Sequence, residues 1–338
     1  MKLSEKRNRL DWVDCAKGIA IILVVYRHIL IGVSRSGLEV QSWLINANEI
    51  VYSFRMPLFF ILSGLFIAKS IEKRNNARVF IRYKFDTIYY PYLVWGVIQI
   101  SIQIFFSRYT NATRDLSDFL LLLVHPRAID QLWYLYALFN TSILFYFLYS
   151  ALKMPNRWLV IVSLGFYGIS YYVKEYSLFH DTFYFLIFLT LGHVSKTVLL
   201  DQSSFIYQKT MLLFTVLLPA FVGSQIYWLF NQELNLFLFA LIAILGSFFV
   251  FIISILLQES RFSGVLKEVG KHSLQIYLMH LLIVSAVRIL LVNLLHMREP
   301  VAILLTGWFL GVTIPILFYK VIGKKHFQYL FTFPKRKA

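Results

Sequence analysis

Apolar runs of about twenty residues, parted by short polar connections, recur along the whole chain. They fall near residues 12–33, 44–68, 87–107, 131–151, 158–173, 179–195, 210–229, 234–257, 271–295 and 300–320. A helix of about twenty apolar residues matches the thickness of a bilayer's hydrocarbon core. The pattern therefore predicts an all-α polytopic membrane protein of about ten transmembrane helices. No Pro/Gly/Ser-rich linker, low-complexity tract or clear internal repeat breaks the series, so residues 1–338 read as a single integral-membrane domain.

Polar positions inside these runs carry the most information, because ionisable groups in hydrocarbon are costly and mark pathways or reaction sites. The first run contains Asp14, Lys17, Arg27 and His28. Lys17 and His28 are eleven residues apart, which at about 100° per residue returns them to within roughly 20° of one helix face, about 16 Å apart along the axis. The second run carries Glu49 near one membrane surface, Arg55 near mid-depth, Pro57, and Ser63-Gly64 in the other half. A mid-membrane guanidinium needs an acceptor or a wet cavity. Pro57 is expected to kink its helix, and Ser63-Gly64 permits close helix approach, the plain packing reading of Ser63. The third run leads from Arg82 through Pro91 to Trp95, an aromatic helix start broken by proline and suited to an interfacial belt. The ninth brings Ser273, Tyr277 and His280 to one face at helical spacing. A lone intramembrane histidine usually packs and hydrogen-bonds; His28, sharing a face with Lys17, reads instead as functional.

Composition agrees with the pattern. Of 338 residues 59% are hydrophobic and only 15% charged, against about 25% charged in soluble proteins. The net charge of +16 could suggest nucleic acid, but location argues otherwise. With the N-terminus inside, 23 of the 33 basic residues fall in inside segments. Outside loops hold only Arg35, Arg108, Arg114, Arg127, Lys174 and Arg298. That bias predicts both termini cytoplasmic, with the surplus charge fixing orientation and meeting anionic lipid. The basic start and first apolar run imitate a secretory signal, but no small-residue cleavage site follows, and an uncleaved first span is expected. The inside segment 69–86 is the most basic, either as a topology determinant or as a funnel for an anionic ligand. The outside loop near 108–130 contains an amphipathic stretch, Leu116–Val124, suited to the membrane surface. Asn111-Ala-Thr and Asn140-Thr-Ser match a glycosylation pattern, the second inside a span. Cys15 is the only cysteine, which rules out an intrachain disulfide and a cysteine-built metal cluster. There is no Walker loop, His-Glu-x-x-His helix, Gly-x-Ser-x-Gly elbow or Rossmann fingerprint. A nucleotide-driven pump or zinc hydrolase thus lacks support, and no metal is expected.

Five segments together resemble the membrane acyltransferase-3 family, most closely its fucose-type glycan O-acetyltransferase branch. They are Asp14 through His28, Phe54 through Gly64, the Arg82…Pro91…Trp95 segment, Leu132-Trp-Tyr-Leu, and Gly270 through His280. The resemblance implies ten spans in a bacterial inner membrane. It further implies transfer of an acetyl group from cytosolic acetyl-CoA to a sugar hydroxyl of a cell-surface polysaccharide or its lipid-linked precursor. His28 falls on the family's essential first-helix histidine, and Lys17 where many members carry arginine. Arg55 stands where this branch usually has histidine, and Arg27 where it usually has a small residue. On that basis Lys17, Arg82 and Ser63 are expected at the coenzyme A site, and His28 is the expected general base. Arg55 is the expected oxyanion donor with Tyr52 as the second candidate, while Trp95 and His280 give support. Asp14 either holds Lys17 as an i, i+3 pair or is an interfacial helix-start charge. An acyl-histidine intermediate and direct attack both stay open. Two other classes fit the span pattern: a transporter or flippase of a glycan or lipid-linked sugar, and a non-catalytic envelope scaffold.

Overall fold

The computed structural model describes residues 10–74, 76–107, 114–261, 263–323 and 326–334; Asn111 and Arg108 lie outside them. Among the described residues there are helices and no strands. In chain order the α-helices are α1 (Asp11–Ser34), α2 (Ser42–Ile50), α3 (Tyr52–Glu72), α4 (Ala77–Lys84), α5 (Tyr90–Phe105), α6 (Asp118–Val124), α7 (Trp133–Tyr146), α8 (Asn156–Ser170), α9 (Ser177–Leu199), α10 (Phe205–Gln208), α11 (Thr210–Phe230), α12 (Leu236–Leu257), α13 (Ser263–Lys271), α14 (Ser273–Ile289) and α15 (Pro300–Phe318).

Nine helical segments among the described residues are long and apolar enough to cross a bilayer. The expected span at 158–173 is the exception: α8 has 15 residues and continues only through a 3-10 turn, Tyr171–Val173. At about 1.5 Å per residue α8 reaches roughly 22 Å, shorter than the hydrocarbon core.

The helix breaks differ from those the prolines suggest. The second span is two helices meeting at Val51, while Pro57 lies inside an unbroken α3. The elbow is held from outside: the Trp228 indole donates to the Glu49 carbonyl (3.1 Å) and the Ser53 hydroxyl to Gln225 (2.8 Å). Nor does Pro91 break its span. It sits in the first turn of α5, which α4 joins through a π-helical turn, Phe85–Tyr89, and the Asp86 carbonyl five residues before it accepts from the Phe333 amide instead. The basic segment 69–86 is accordingly mostly helical. Asn76 caps α4, its side chain accepting from the Arg78 amide.

Glycine sets two of the closest crossings. A Cβ on Gly64 would collide with the Leu189 carbonyl of α9, and one on Gly192 with the Ile61 carbonyl of α3. The same device joins α1 to the α13–α14 segment, where Gly270 abuts the Asp14 backbone. In lipid, such small-residue contacts let backbones touch and gain dispersion energy. By contrast α11 is peripheral, with Met211, Leu212 and Val216 exposed toward the lipid position. The amphipathic α6 keeps Leu122 buried beside Gly96 and exposes Leu120, Leu123 and Val124.

α13 joins the start of α1 to the segment after α15. Lys267 pairs with Asp11 at the start of α1 (2.7 Å), and Glu268 with Lys320 just after α15 (2.5 Å). Asp11 and Lys320 therefore lie at one end of the bundle.

Candidate active site

Helices α1 and α14 run side by side in the same direction. Asp14 lies against Gly270, His28 against His280, and Gly32 against Arg288. The two imidazole centroids are 5.0 Å apart, tilted by 60°. His280 is fully buried, and its Nδ1 sits 2.9 Å from the Ile276 and Tyr277 carbonyls. Carbonyls only accept, so Nδ1 carries the proton. Its Nε2 is left buried without a hydrogen-bond partner. His28, partly exposed, stands in front of it on the wall of a cavity of about 1190 Å³.

That cavity lies at the end of the bundle away from Asp11 and Lys320. Its deeper lining includes Val24, His28, Pro57 and Tyr277; toward the mouth come Arg35, Phe106, Arg288 and Leu294. The start of α3 supplies one side. Arg55 is 2% exposed and donates through Nη1 to Asn48 Oδ1 (2.8 Å) and the Leu23 carbonyl (3.3 Å). Its Nη2 has no partner. Tyr52 lies under two cations, with the Arg27 and Arg55 guanidinium carbons 5.1 and 5.3 Å from its ring centre, and stacks on Trp228. Such contacts stabilise a desolvated guanidinium without neutralising it. Asn48 also donates to Glu49 (2.7 Å), which faces Arg27 at 4.0 Å.

Opposite stands a polar wall. Arg127 Nε donates to both Asp181 oxygens (2.8 and 2.9 Å), its guanidinium lying over Trp133. His180 Nδ1 meets the same carboxylate at 2.9 Å. Asp130 accepts from Gln103 (3.0 Å) and Gln99 (3.3 Å), with Arg114 at 3.8 Å. The Tyr277 hydroxyl donates to the Gln131 carbonyl, pinning this wall to α14.

Of the residues singled out in the sequence, His28, Arg55 and Tyr52 line the cavity and His280 backs His28. Five others lie elsewhere. Lys17 is three turns below His28 and outside the lining, with Asp14 buried one turn before it. Ser63 is half-buried beside the α3–α9 crossing. Arg82 is exposed and paired with Asp86 (3.0 Å), its guanidinium over Phe333. Trp95 is buried, and its indole donates to the Leu330 carbonyl (2.8 Å), fastening the C-terminal segment. The residues missed were Asp130, His180 and Asp181, together with any site role for Arg127 and Arg288. Adjacent His180-Asp181 at the head of an apolar run was the one available signal.

A histidine with an open face, a buried guanidinium with a spare N–H and a roomy cavity suit proton transfer beside a developing negative charge. The acyltransferase-3 family model, described as an acyltransferase domain, matches residues 10–320. The nodulation protein NolL of Sinorhizobium fredii is 28% identical over 157 residues, 46% of this chain and 41% of that protein. The chain thus spans well under half the length of this curated relative. No solved structure matches it. From residue 10 to residue 320, and so over nearly all of its length, the chain belongs to the acyltransferase-3 family of membrane acyltransferases.

Proposed function

We propose that this membrane acyltransferase moves an acetyl group from acetyl-CoA to a sugar hydroxyl of a cell-surface polysaccharide or its lipid-linked precursor, in a bacterial inner membrane. The observation that carries the reading is His28, backed by buried His280, on the wall of a cavity at the end of the bundle away from Asp11 and Lys320. With the termini cytoplasmic, that cavity faces the side where surface glycan is assembled.

In this scheme His28 takes the proton of the sugar hydroxyl as its oxygen attacks the thioester carbonyl. His280, its proton held on Nδ1, packs its ring behind His28 and limits the positions the His28 imidazole can take. The tetrahedral oxyanion is met by the spare Nη2 of Arg55. When the intermediate collapses, the carbon–sulfur bond breaks and coenzyme A leaves as a thiol, with the proton returned through His28. Arg55, permanently charged, serves as donor and not as base. At the opposite end Lys17, with Arg82 and Ser63, is the proposed docking region for coenzyme A. Lysine suits a phosphate as a point charge. The cavity lining does not extend to Lys17, so passage of the acyl arm over the intervening ~16 Å requires α1 and its neighbours to part.

The test is acetyl transfer from labelled acetyl-CoA to surface glycan in membranes holding equal amounts of wild type or His28→Ala. Loss of general-base catalysis lowers the rate by about 10²–10⁴-fold. Transfer that persists removes His28 from the chemistry. No transfer by wild type, together with no coenzyme A binding, overturns the acetyl-CoA reading in favour of a transporter or scaffold.

A further inference from the structure

The charges on the cavity wall do not balance. Five arginines line it, at positions 27, 35, 55, 127 and 288, against the single carboxylate of Asp130. Asp130 is already taken by Gln99, Gln103 and Arg114. Arg127 is committed to Asp181, and Arg27 faces Glu49. Among the described residues no carboxylate stands within 4 Å of Arg35, Arg55 or Arg288. Arg55 lies near the histidines, but the other two lie above them. Arg288 is 4% exposed, on the α14 face that meets α1, its stem across Gly32, where an added Cβ would come 3.5 Å from its Cδ. Arg35 is exposed at the end of α1.

The parallel helices give this pair a defined height. Arg35 follows His28 by seven residues, about 10 Å at 1.5 Å per residue, while Arg288, eight residues past His280, leans its stem back over Gly32, one turn above His28. Two planar donor forks thus stand one to two turns above the reaction centre, Arg288 buried in the cleft and Arg35 exposed at its rim. Guanidinium forks match carboxylate and phosphate oxygens, and a buried one calls for a counter-ion.

We propose that Arg288 and Arg35 form an anion subsite for the acceptor, holding a carboxylate or phosphate carried beside the sugar that is acylated. The inference rests on the acyltransferase reading above for its acceptor. At that height the anionic group belongs to a neighbouring sugar or to a phosphate linkage, not to the ring whose hydroxyl reaches His28.

The full-length protein in phosphatidylcholine nanodiscs is titrated with trigalacturonate, with its carboxyl-reduced form, and with inorganic diphosphate. The acidic probes bind, and the reduced sugar binds at least about tenfold more weakly. Arg288→Gln and Arg35→Gln each weaken the acidic probes about tenfold, the scale of one charge-assisted hydrogen bond. Arg288→Lys retains most of the affinity, and acetyl-CoA binding is unchanged in all three. Preference for trigalacturonate assigns a uronate, and preference for diphosphate a phosphate linkage. Equal binding of charged and reduced sugar overturns the subsite, as does an effect of Arg288→Gln on acetyl-CoA alone. Displacement of the probes by phosphatidylglycerol assigns the arginines to lipid and also overturns it. Should Arg288→Gln fail to fold, Arg35→Gln and Arg288→Lys decide the question. Anion binding without transfer to any acceptor overturns the acyltransferase reading and leaves the subsite; transfer indifferent to acceptor charge does the reverse.

Discussion

Arg55 persists at 2% exposure because oxygen meets it: Asn48 Oδ1 and the Leu23 carbonyl take its Nη1, and Tyr52 covers one face. Asn48 is 3% exposed and links Arg55 to Glu49 through its other atom. Asn48→Ala therefore strands a buried cation. The expected cost is about 1–3 kcal/mol of stability, read as a lower melting temperature in detergent, with acyl transfer falling as Arg55 loses its aim. An unchanged melting temperature would show that Arg55 finds another acceptor. Residues of this kind were legible in the sequence, because a charge within an apolar run is itself anomalous. Arg127, His180 and Asp181 were not, since charge at a span boundary is ordinary and Arg127 lies 54 residues from its carboxylate.

At the scale of elements, the run of spans was readable because each helix must satisfy its own backbone in lipid. Its interruptions were not. Proline pointed to a kink at position 57 and a broken helix start at 91; α3 runs on through Pro57, and the second span is instead divided at Val51, which carries no local turn signal. Tertiary bonds from Trp228 and Gln225 fix that elbow, and both donors and acceptors come from more than 170 residues away. The α3–α9 crossing follows the opposite rule, its position written in Gly64 and Gly192. Gly64→Ala drives a methyl group into the Leu189 carbonyl and is expected to reduce the yield of monodisperse protein severely. Gly165→Ala, with nothing within 4 Å of its added Cβ, is the matched control and should leave yield unchanged or improved. Equal yields from both variants would mean that the two helices separate at little cost.

For the whole molecule, α13 is where the start of α1 and the segment after α15 are tied together. Lys320 hydrogen-bonds the Glu268 carboxyl and holds it below its ordinary range, with help from the nearby His272 and Lys271. A carboxyl depressed in the folded state adds stability that is present above its unfolded value, near 4.3, and is lost as pH falls through the folded value. Acidification below about pH 4.3 should therefore lower the melting temperature of wild type more steeply than that of Glu268→Gln. Parallel curves would mean that the clasp contributes nothing measurable. The sequence expected an even number of spans, with both termini cytoplasmic; among the described residues the structure brings Asp11 and Lys320 to one end of the bundle through Lys267 and Glu268. The cavity itself was not legible, because its walls come from helices distant in sequence that meet only after packing.

The parallel course of α1 and α14 turns residue number into a ruler. With His28 beside His280, backbone height above the histidines is read off along each helix, one position for about 1.5 Å, while the Arg288 side chain leans back over Gly32. Moving an arginine by four positions along either helix shifts it by about 6 Å on the same face and leaves the imidazoles in place. Under the proposed anion subsite, single charge relocations along these helices would exchange one acceptor length for another while the histidine pair stays where it is.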